Sequence, residues 1–147
     1  MKATTYSWAT PGGTAIELTM THHTAPTTAE ETAYADGYNV RTGGTTTHWT
    51  RPEYAVTVAG KVATKRATYH AHHNTYKAAA LTWLVGRRNM AVVVPEEIAE
   101  QIATADAPRQ AWESERAKAM EAAFKVHQAA EDRRAAQRKE MLDGGWM

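Results

Sequence analysis

Apolar and polar residues alternate near the start of the chain with the period of two that is typical of a β-strand with one buried face. The clearest run places Ile16, Leu18 and Met20 on one side, with Glu or Thr between them. A similar alternation over residues 5–8 precedes it, and Pro11-Gly12-Gly13 between the two runs has the composition of a turn. We therefore expect a β-hairpin at the N-terminus.

Two further hairpins are predicted later in the chain. Residues 54–58 alternate up to Ala59-Gly60, and a second strand follows that turn. Residues 81–85 and 90–94 form the next pair of strands, separated by Gly86-Arg87-Arg88-Asn89. The run 90–94 is apolar at every position, which is typical of a central strand that is buried on both faces.

Residues 22–53 lack this regular alternation. Pro26, Gly43-Gly44 and the run Thr45-Thr46-Thr47 predict a region that is mostly loop. One tight turn is expected at Asp36-Gly37, because Gly accepts a positive φ angle and Asp tolerates it.

After Val94 the pattern changes to that of a helix. Pro95 followed by two glutamates is typical of a first helical turn, and Ile98 and Ile102 define one buried face. Asp106-Ala107-Pro108 predicts a break, so a short helix is expected before it and a longer one after it.

The second helix is predicted to be unusually long, because residues 109–142 contain neither Gly nor Pro. It would span roughly 50 Å, whereas a globule of about 100 residues has a diameter of roughly 35 Å. Trp112, Met120 and Phe124 are expected to pack against the sheet. Residues 131–140 offer almost no apolar surface, so this part would project into solvent, bend back or meet a partner.

Together these patterns predict an α+β fold, with an antiparallel, hairpin-rich sheet over residues ~3–94 and helices at 95–105 and 108–130. We expect one domain over residues 1–130, followed by a polar helical extension and flexible tail at 131–147. The core is predicted to contain Ile16, Leu18, Val56, Val58, Trp83, Val92, Val94, Ile98 and Ile102.

Composition argues against several classes of enzyme. The chain has no cysteine, which rules out a disulfide framework, a thiolate nucleophile and a cysteine zinc site. Ser7 and Ser114 are the only serines, and neither lies in a nucleophile motif. Phosphate-binding glycine loops and the H-E-x-x-H zinc motif are also absent. We therefore expect a non-enzymatic protein without a cofactor.

The chain is also expected to be cytoplasmic and not to bind membranes. Its first 20 residues contain no continuous apolar segment of the kind found in a secretory signal peptide. The longest wholly apolar run, 90–95, is far shorter than the roughly 20 residues of a membrane-spanning helix.

Charge is distributed unevenly along the chain. Residues 54–95 contain six Lys/Arg and no Asp/Glu, whereas residues 1–53 and 96–147 carry net charges of −2 and −3. With aromatic residues between the cations, this region could bind nucleic acid or an acidic partner. Alternatively, it forms a solubilising face or docks on the acidic C-terminal region. The candidate binding residues are Lys61, Lys65, Arg66, Tyr69, Lys77, Arg87 and Arg88.

Histidines provide the one candidate for a metal or acid–base site. In the segment Tyr69-His70-Ala71-His72-His73, a strand would place His70 and His72 on the same face. His22, His23 or His48 could supply a third ligand, but no carboxylate lies nearby in sequence. We therefore predict a polar strand face or loop and no metal, with His70 and His72 as the weak candidates for ligands.

The function favoured by these observations is macromolecular interaction through the sheet face and the C-terminal helix. A short, cysteine-free chain without catalytic motifs would suit a phage or mobile-element factor that binds or inhibits host machinery. A nucleic-acid-binding module is the alternative, and a His-dependent metal site is the second alternative. The candidate residues for a protein partner are Arg133, Arg134, Arg138, Lys139 and Trp146.

Overall fold

The computed structural model describes residues 1–144, and in this range it contains eight β-strands and one α-helix. The chain divides into two units, residues 1–109 and the residues from Gln110 onward. The elements are β1 (Lys2–Ala9), β2 (Ala15–His22), β3 (Thr27–Ala35), β4 (Tyr38–His48), β5 (Glu53–Val58), β6 (Lys61–His73), β7 (Ala78–Val85), β8 (Arg88–Val93) and α1 (Glu96–Gly144).

The first unit is built on a six-stranded sheet with the strand order β1-β2-β5-β6-β7-β8, in which every neighbouring pair is antiparallel. Strands β3 and β4 form a separate two-stranded hairpin inserted between β2 and β5. The predicted α+β class is confirmed, with its antiparallel hairpins and long C-terminal helix. All three predicted hairpin connections are present, at Pro11-Gly12-Gly13, Ala59-Gly60 and Gly86-Arg87. The last of these is shorter than predicted, because Arg88 and Asn89 already belong to β8.

One face of the six-stranded sheet carries the core, which it shares with residues 96–109 of α1. Leu18, Val56 and Leu81 come from three different strands and are fully buried there, and Ile98 and Ile102 contribute from the helix. All nine predicted core residues belong to this cluster, with Val58 and Val92 only partly buried. The predicted set lacks five other buried members of this cluster, which are Tyr6, Met20, Tyr54, Ala79 and Leu81.

Residues 22–53 do not form the predicted loop. They contain the β3–β4 hairpin, and the expected tight turn at its tip is confirmed, because Asp36 and Gly37 have φ angles of 51° and 85°. These values are typical of the type I′ turn that joins two twisted strands. Apart from Gly44 and Thr47, every residue of the hairpin is exposed. A strand without a buried face produces no alternation of apolar and polar residues, so periodicity could not reveal it.

The apolar strand β8 is not the central strand that its composition predicts. It pairs only with β7 and therefore lies at the edge of the sheet. Val92 packs on the core, but Met90 and Val93 are exposed. The prediction was wrong because it assumed that a strand with apolar residues on both faces must be covered on both faces by other parts of the protein.

The short helix at 95–105 and its break at 106–108 are also wrong, because α1 is continuous from Glu96 to Gly144 with Pro108 in its interior. A proline there costs about 3 kcal/mol, since it removes one N–H donor and crowds the preceding turn. The side chains of Asp106 and Arg109 form two parallel hydrogen bonds of 2.7 Å, from Nε to Oδ1 and from the terminal nitrogen to Oδ2. This buried pair joins positions three residues apart, on either side of Pro108, and favours the helical path.

Candidate interaction surfaces

The part of α1 from Gln110 onward is the most exposed long element of the described chain. Up to Gly144, every side chain except those of Trp112, Glu113 and Ala130 is exposed. Met120 and Phe124 are 64% and 65% exposed, so the expected burial of these two residues is wrong. Because they are four residues apart, Met120 and Phe124 lie on one face of the helix.

Local contacts between side chains stabilise this part of the helix. Lys125 lies 3.4 Å from Glu121, and His127 lies 3.1 Å from Glu131. The Arg116 guanidinium lies 5.3 Å from the centre of the Trp112 ring. Exposed pairs of this kind contribute a few tenths of a kcal/mol each, about 0.2–0.5 in isolated helices. Weak local contacts and residues with high helix propensity therefore both contribute to the stability of this part of the helix.

The cations proposed to bind a protein partner lie on several sides of this helix. Arg134 and Arg138 are four residues apart and share a face, but Arg133 and Lys139 are each turned by about 100° from their neighbours. All four are exposed. Trp146, the fifth candidate, lies outside the described residues. From Gln110 onward the sequence contains seven Lys/Arg and seven Asp/Glu, so this unit has no net charge.

Five of the six cations in residues 54–95 lie toward the same end of the sheet. Lys61 follows the β5–β6 turn, Arg87 lies in the β7–β8 turn at that end, and Arg88 is the first residue of β8. Lys65 and Arg66 follow in β6, where the pairing with β5 shifts register. We call these five residues the basic end. Lys77 lies in the β6–β7 turn at the opposite end of the sheet. All six cations are exposed.

The aromatic residues of this region are placed differently from its cations. Trp83 is buried in the core, and Tyr69 packs against it with its ring 5.4 Å from that of Tyr54. Burial raises the pKa of the Tyr69 hydroxyl above its ordinary value. Tyr76 is exposed, but it lies near Lys77 and away from the basic end. Base stacking requires an exposed ring beside the cations, and the basic end has neither Tyr69 nor Trp83 available for it.

The histidine cluster includes a residue that the sequence did not single out. A register irregularity between His70 and His73 brings these two rings to 5.3 Å, edge to face, while His72 is exposed. His70 Nε2 lies 2.9 Å from Thr82 Oγ1. The Thr75 N–H donates to His73 Nδ1 at 3.3 Å. Among residues 1–144, no group of three or more His, Asp or Glu side chains is arranged to hold a metal ion.

A buried polar group lies where the helix meets the sheet. The Asp106–Arg109 pair is adjacent to Tyr54, which is itself buried in the core. The pKa of the Tyr54 hydroxyl is strongly raised, first by burial and then by the negative charge of Asp106. This group was missed because Asp106 was interpreted as part of a helix break. Its position in the core suits a structural role in aligning residues 96–109 of α1 on the sheet.

Exposed apolar residues gather at two places that sequence reasoning also missed. One is the tip of the β3–β4 hairpin, where Tyr34 and Tyr38 are 76% and 75% exposed. The other is the end of the β7–β8 hairpin, where Leu84 and Val85 are exposed beside Arg87. Tyr, Leu and Val in strands are normally expected to be buried, so composition gave no signal for these surfaces.

Within residues 1–144, no helix is both long and apolar enough to cross a membrane. Comparison of the chain with protein-family models, with curated protein sequences and with solved structures finds no significant match.

Proposed function

We propose that this protein is a non-enzymatic interaction protein, and that the helix from Gln110 onward binds a protein partner. The observation that carries the proposal is the exposed apolar pair Met120 and Phe124, which lie four residues apart on one face of this helix. Large apolar side chains that stand together on an exposed helix mark interaction surfaces more often than isolated ones do.

Burial of these two residues would provide a useful part of a binding free energy. A fully buried Phe or Met side chain contributes about 1.5–3 kcal/mol relative to an exposed one. An amphipathic helix that lies in a groove uses anchors at this spacing of three or four residues. The charged residues around the pair, such as Arg116 and Lys125, would lie at the rim of the contact and favour one orientation.

The charge of this helix favours a protein over a nucleic acid. Binding to phosphates depends on an excess of cations, and the unit from Gln110 onward has equal numbers of acidic and basic residues.

The alternative function is nucleic-acid binding through the exposed cations Lys61, Lys65, Arg66, Lys77, Arg87 and Arg88. The burial of Trp83 and the packing of Tyr69 against the core weigh against it, because base stacking needs an exposed ring. The proposal includes a cytoplasmic location.

A pull-down from the native host, with and without nuclease and followed by mass spectrometry, tests the proposal. The bait would be compared with the double variant Met120→Ser/Phe124→Ser and with the control Val126→Ser. Val126 is equally exposed but lies about 120° around the helix from Met120. We expect a nuclease-resistant protein partner that the control retains and the double variant loses. Loss of the partner on nuclease treatment, or equal capture by all three baits, would contradict the proposal.

A further inference from the structure

The tip of the β3–β4 hairpin has one apolar face that nothing in the described chain covers. In its register, Ala33 lies opposite Val40 and Ala35 lies opposite Tyr38. Residues directly opposite one another share a face, as do residues two apart in one strand. These four side chains therefore form a single apolar patch, and all four are exposed.

The same hairpin is acidic. Glu30, Glu31 and Asp36 are opposed only by Arg41, so residues 27–48 carry a net charge of −2. Arg41 is already paired with Glu30 at 3.0 Å. Glu31 and Asp36 are exposed, and neither forms a salt bridge within residues 1–144. The hairpin thus presents an apolar patch together with uncompensated negative charge.

The basic end of the sheet has the complementary properties. Its five cations are exposed and form no salt bridge within residues 1–144. Leu84 and Val85 beside them are exposed, with Leu84 at 66%. Strand β8 pairs only with β7, so one of its edges has backbone N–H and C=O groups that remain available for another strand. An added strand would gain main-chain hydrogen bonds, apolar burial and ion pairs at once.

The hairpin that carries the acidic surface is attached to the sheet at the end opposite the basic end. The hairpin leaves β2 after His22 and returns at Glu53, and the register places these residues at the end opposite the β5–β6 and β7–β8 turns. The hairpin tip and the basic end are both exposed. No salt bridge joins the acidic surface to the basic end within residues 1–144, and every copy of the chain carries both surfaces, so a second copy supplies the complement of each.

We infer that the acidic β3–β4 hairpin of one copy docks on the basic end of the sheet in a second copy, so that the chain assembles head to tail. The surfaces in contact are different on the two copies, which makes the interface heterologous. Such an interface leaves one hairpin and one basic end open at each step, and it produces a closed ring or an open filament. The inference goes beyond the helix-mediated binding proposed above and does not depend on it.

A pair of charge variants tests this head-to-tail arrangement. Glu31→Lys/Asp36→Asn changes the hairpin only, and Asn tolerates the positive φ angle at position 36. Arg87→Glu/Arg88→Glu changes the basic end only. The matched control is Lys2→Glu/Lys77→Glu, which alters two exposed cations at the opposite end of the sheet. Association of nuclease-treated, full-length protein would be followed by sedimentation velocity over a range of concentrations.

We expect the wild-type chain and the control to form the same assemblies, and each test variant to need at least about tenfold higher concentration to associate. A mixture of the two test variants should form a 1:1 complex and stop there. The intact hairpin of one variant can bind the intact basic end of the other, but the two remaining surfaces repel each other. High salt should dissociate the wild-type assembly, because it screens the ion pairs.

Several results would overturn the inference. The first is that the wild-type chain stays monomeric at all concentrations. The second is that both test variants assemble at the same concentrations as the wild-type chain. The third is that assembly requires nucleic acid. Loss of assembly in Met120→Ser/Phe124→Ser, with no effect of the hairpin variant, would assign self-association to α1 instead. Thermal melts of each variant establish that it is folded. If one of them unfolds, the salt dependence of the wild-type chain and the remaining variant still decide the outcome.

Discussion

The two parts of α1 have similar sequence patterns but different surroundings. Ile98 and Ile102 are apolar residues four apart, and so are Met120 and Phe124. The first pair is buried in the core, and the second is exposed to solvent. Periodicity therefore identifies an apolar face on a helix but does not reveal whether the rest of the chain covers that face.

The ion pairs of the two parts differ in the same way. Asp106 and Arg109 form a buried pair with two short hydrogen bonds, whereas Glu121 and Lys125 form a single exposed contact of 3.4 Å. A buried charge depends on its partner, because water cannot replace that partner. An exposed charge loses little when its partner is removed. The ion pair of residues 96–109 is thus part of the packed core, whereas the Glu121–Lys125 pair lies on the surface.

The largest expected effect comes from breaking the buried ion pair. Asp106→Ala should destabilise the protein by about 3–5 kcal/mol, because it removes the carboxylate of a buried ion pair with two short hydrogen bonds. Glu121→Ala is the control on the exposed pair and should cost less than about 0.5 kcal/mol. Urea unfolding of both variants measures the difference. Equal losses in the two variants would mean that the two parts of α1 are not held differently.

A second prediction compares the two apolar pairs. Ile102→Ala should reduce the free energy of unfolding by about 2–5 kcal/mol, because it creates a cavity in the core. Phe124→Ala removes an exposed side chain and should change it by less than about 0.5 kcal/mol. The readout is again urea unfolding at equilibrium. If Phe124→Ala were as damaging as Ile102→Ala, the exposed position of Phe124 would be wrong.

A third, smaller effect concerns alkaline pH. The pKa of Tyr54 is raised in the folded protein by burial and by Asp106. The folded state therefore holds this proton more tightly than the unfolded state does. The associated stability is present below the ordinary tyrosine pKa of about 10 and is lost as the pH rises above it. Tyr54→Phe should flatten this alkaline decrease, which thermal melts on either side of pH 10 would measure. An unchanged decrease would assign it to other groups.

The sequence predicted the sheet and its core because one face of the sheet is buried. Ile16 and Leu18 alternate with polar residues for that reason, and glycine-containing turns marked three of the connections. The β3–β4 hairpin and the edge position of β8 were missed because neither depends on one-sided burial. The continuity of α1 was missed because Pro108 is a local signal, whereas the Asp106–Arg109 pair that bridges it is buried by the fold.

The candidate surfaces could be predicted only in part. The acid-free segment 54–95 indicated the cations of the basic end, but not that Tyr69 and Trp83 face the core. Whether a given aromatic residue faces the core or solvent depends on strand register, and a register irregularity in β6 changes the face of the residues that follow. The solvent exposure of the Tyr and Val residues at the hairpin tip could not be recognised from the sequence, because these residue types are also common in buried strands.

The smallest expected effect on stability is that of shortening α1. A chain ending after Ala130 loses only exposed side chains among the residues that the structure describes, so its free energy of unfolding should change by less than about 0.5 kcal/mol. The same truncation removes Arg133, Arg134, Arg138, Lys139 and Trp146, the cationic and aromatic candidates for partner binding. It leaves Met120 and Phe124 in place.

Thermal melts and the pull-down described above, made on the same truncated chain, therefore separate two possibilities. Partner binding that survives the truncation assigns recognition to the Met120–Phe124 face, whereas binding that is lost from a fully folded chain assigns it to the residues after 130. A truncated chain that unfolds would show that residues after 130 contribute to the core and that the helix is not held by local contacts alone.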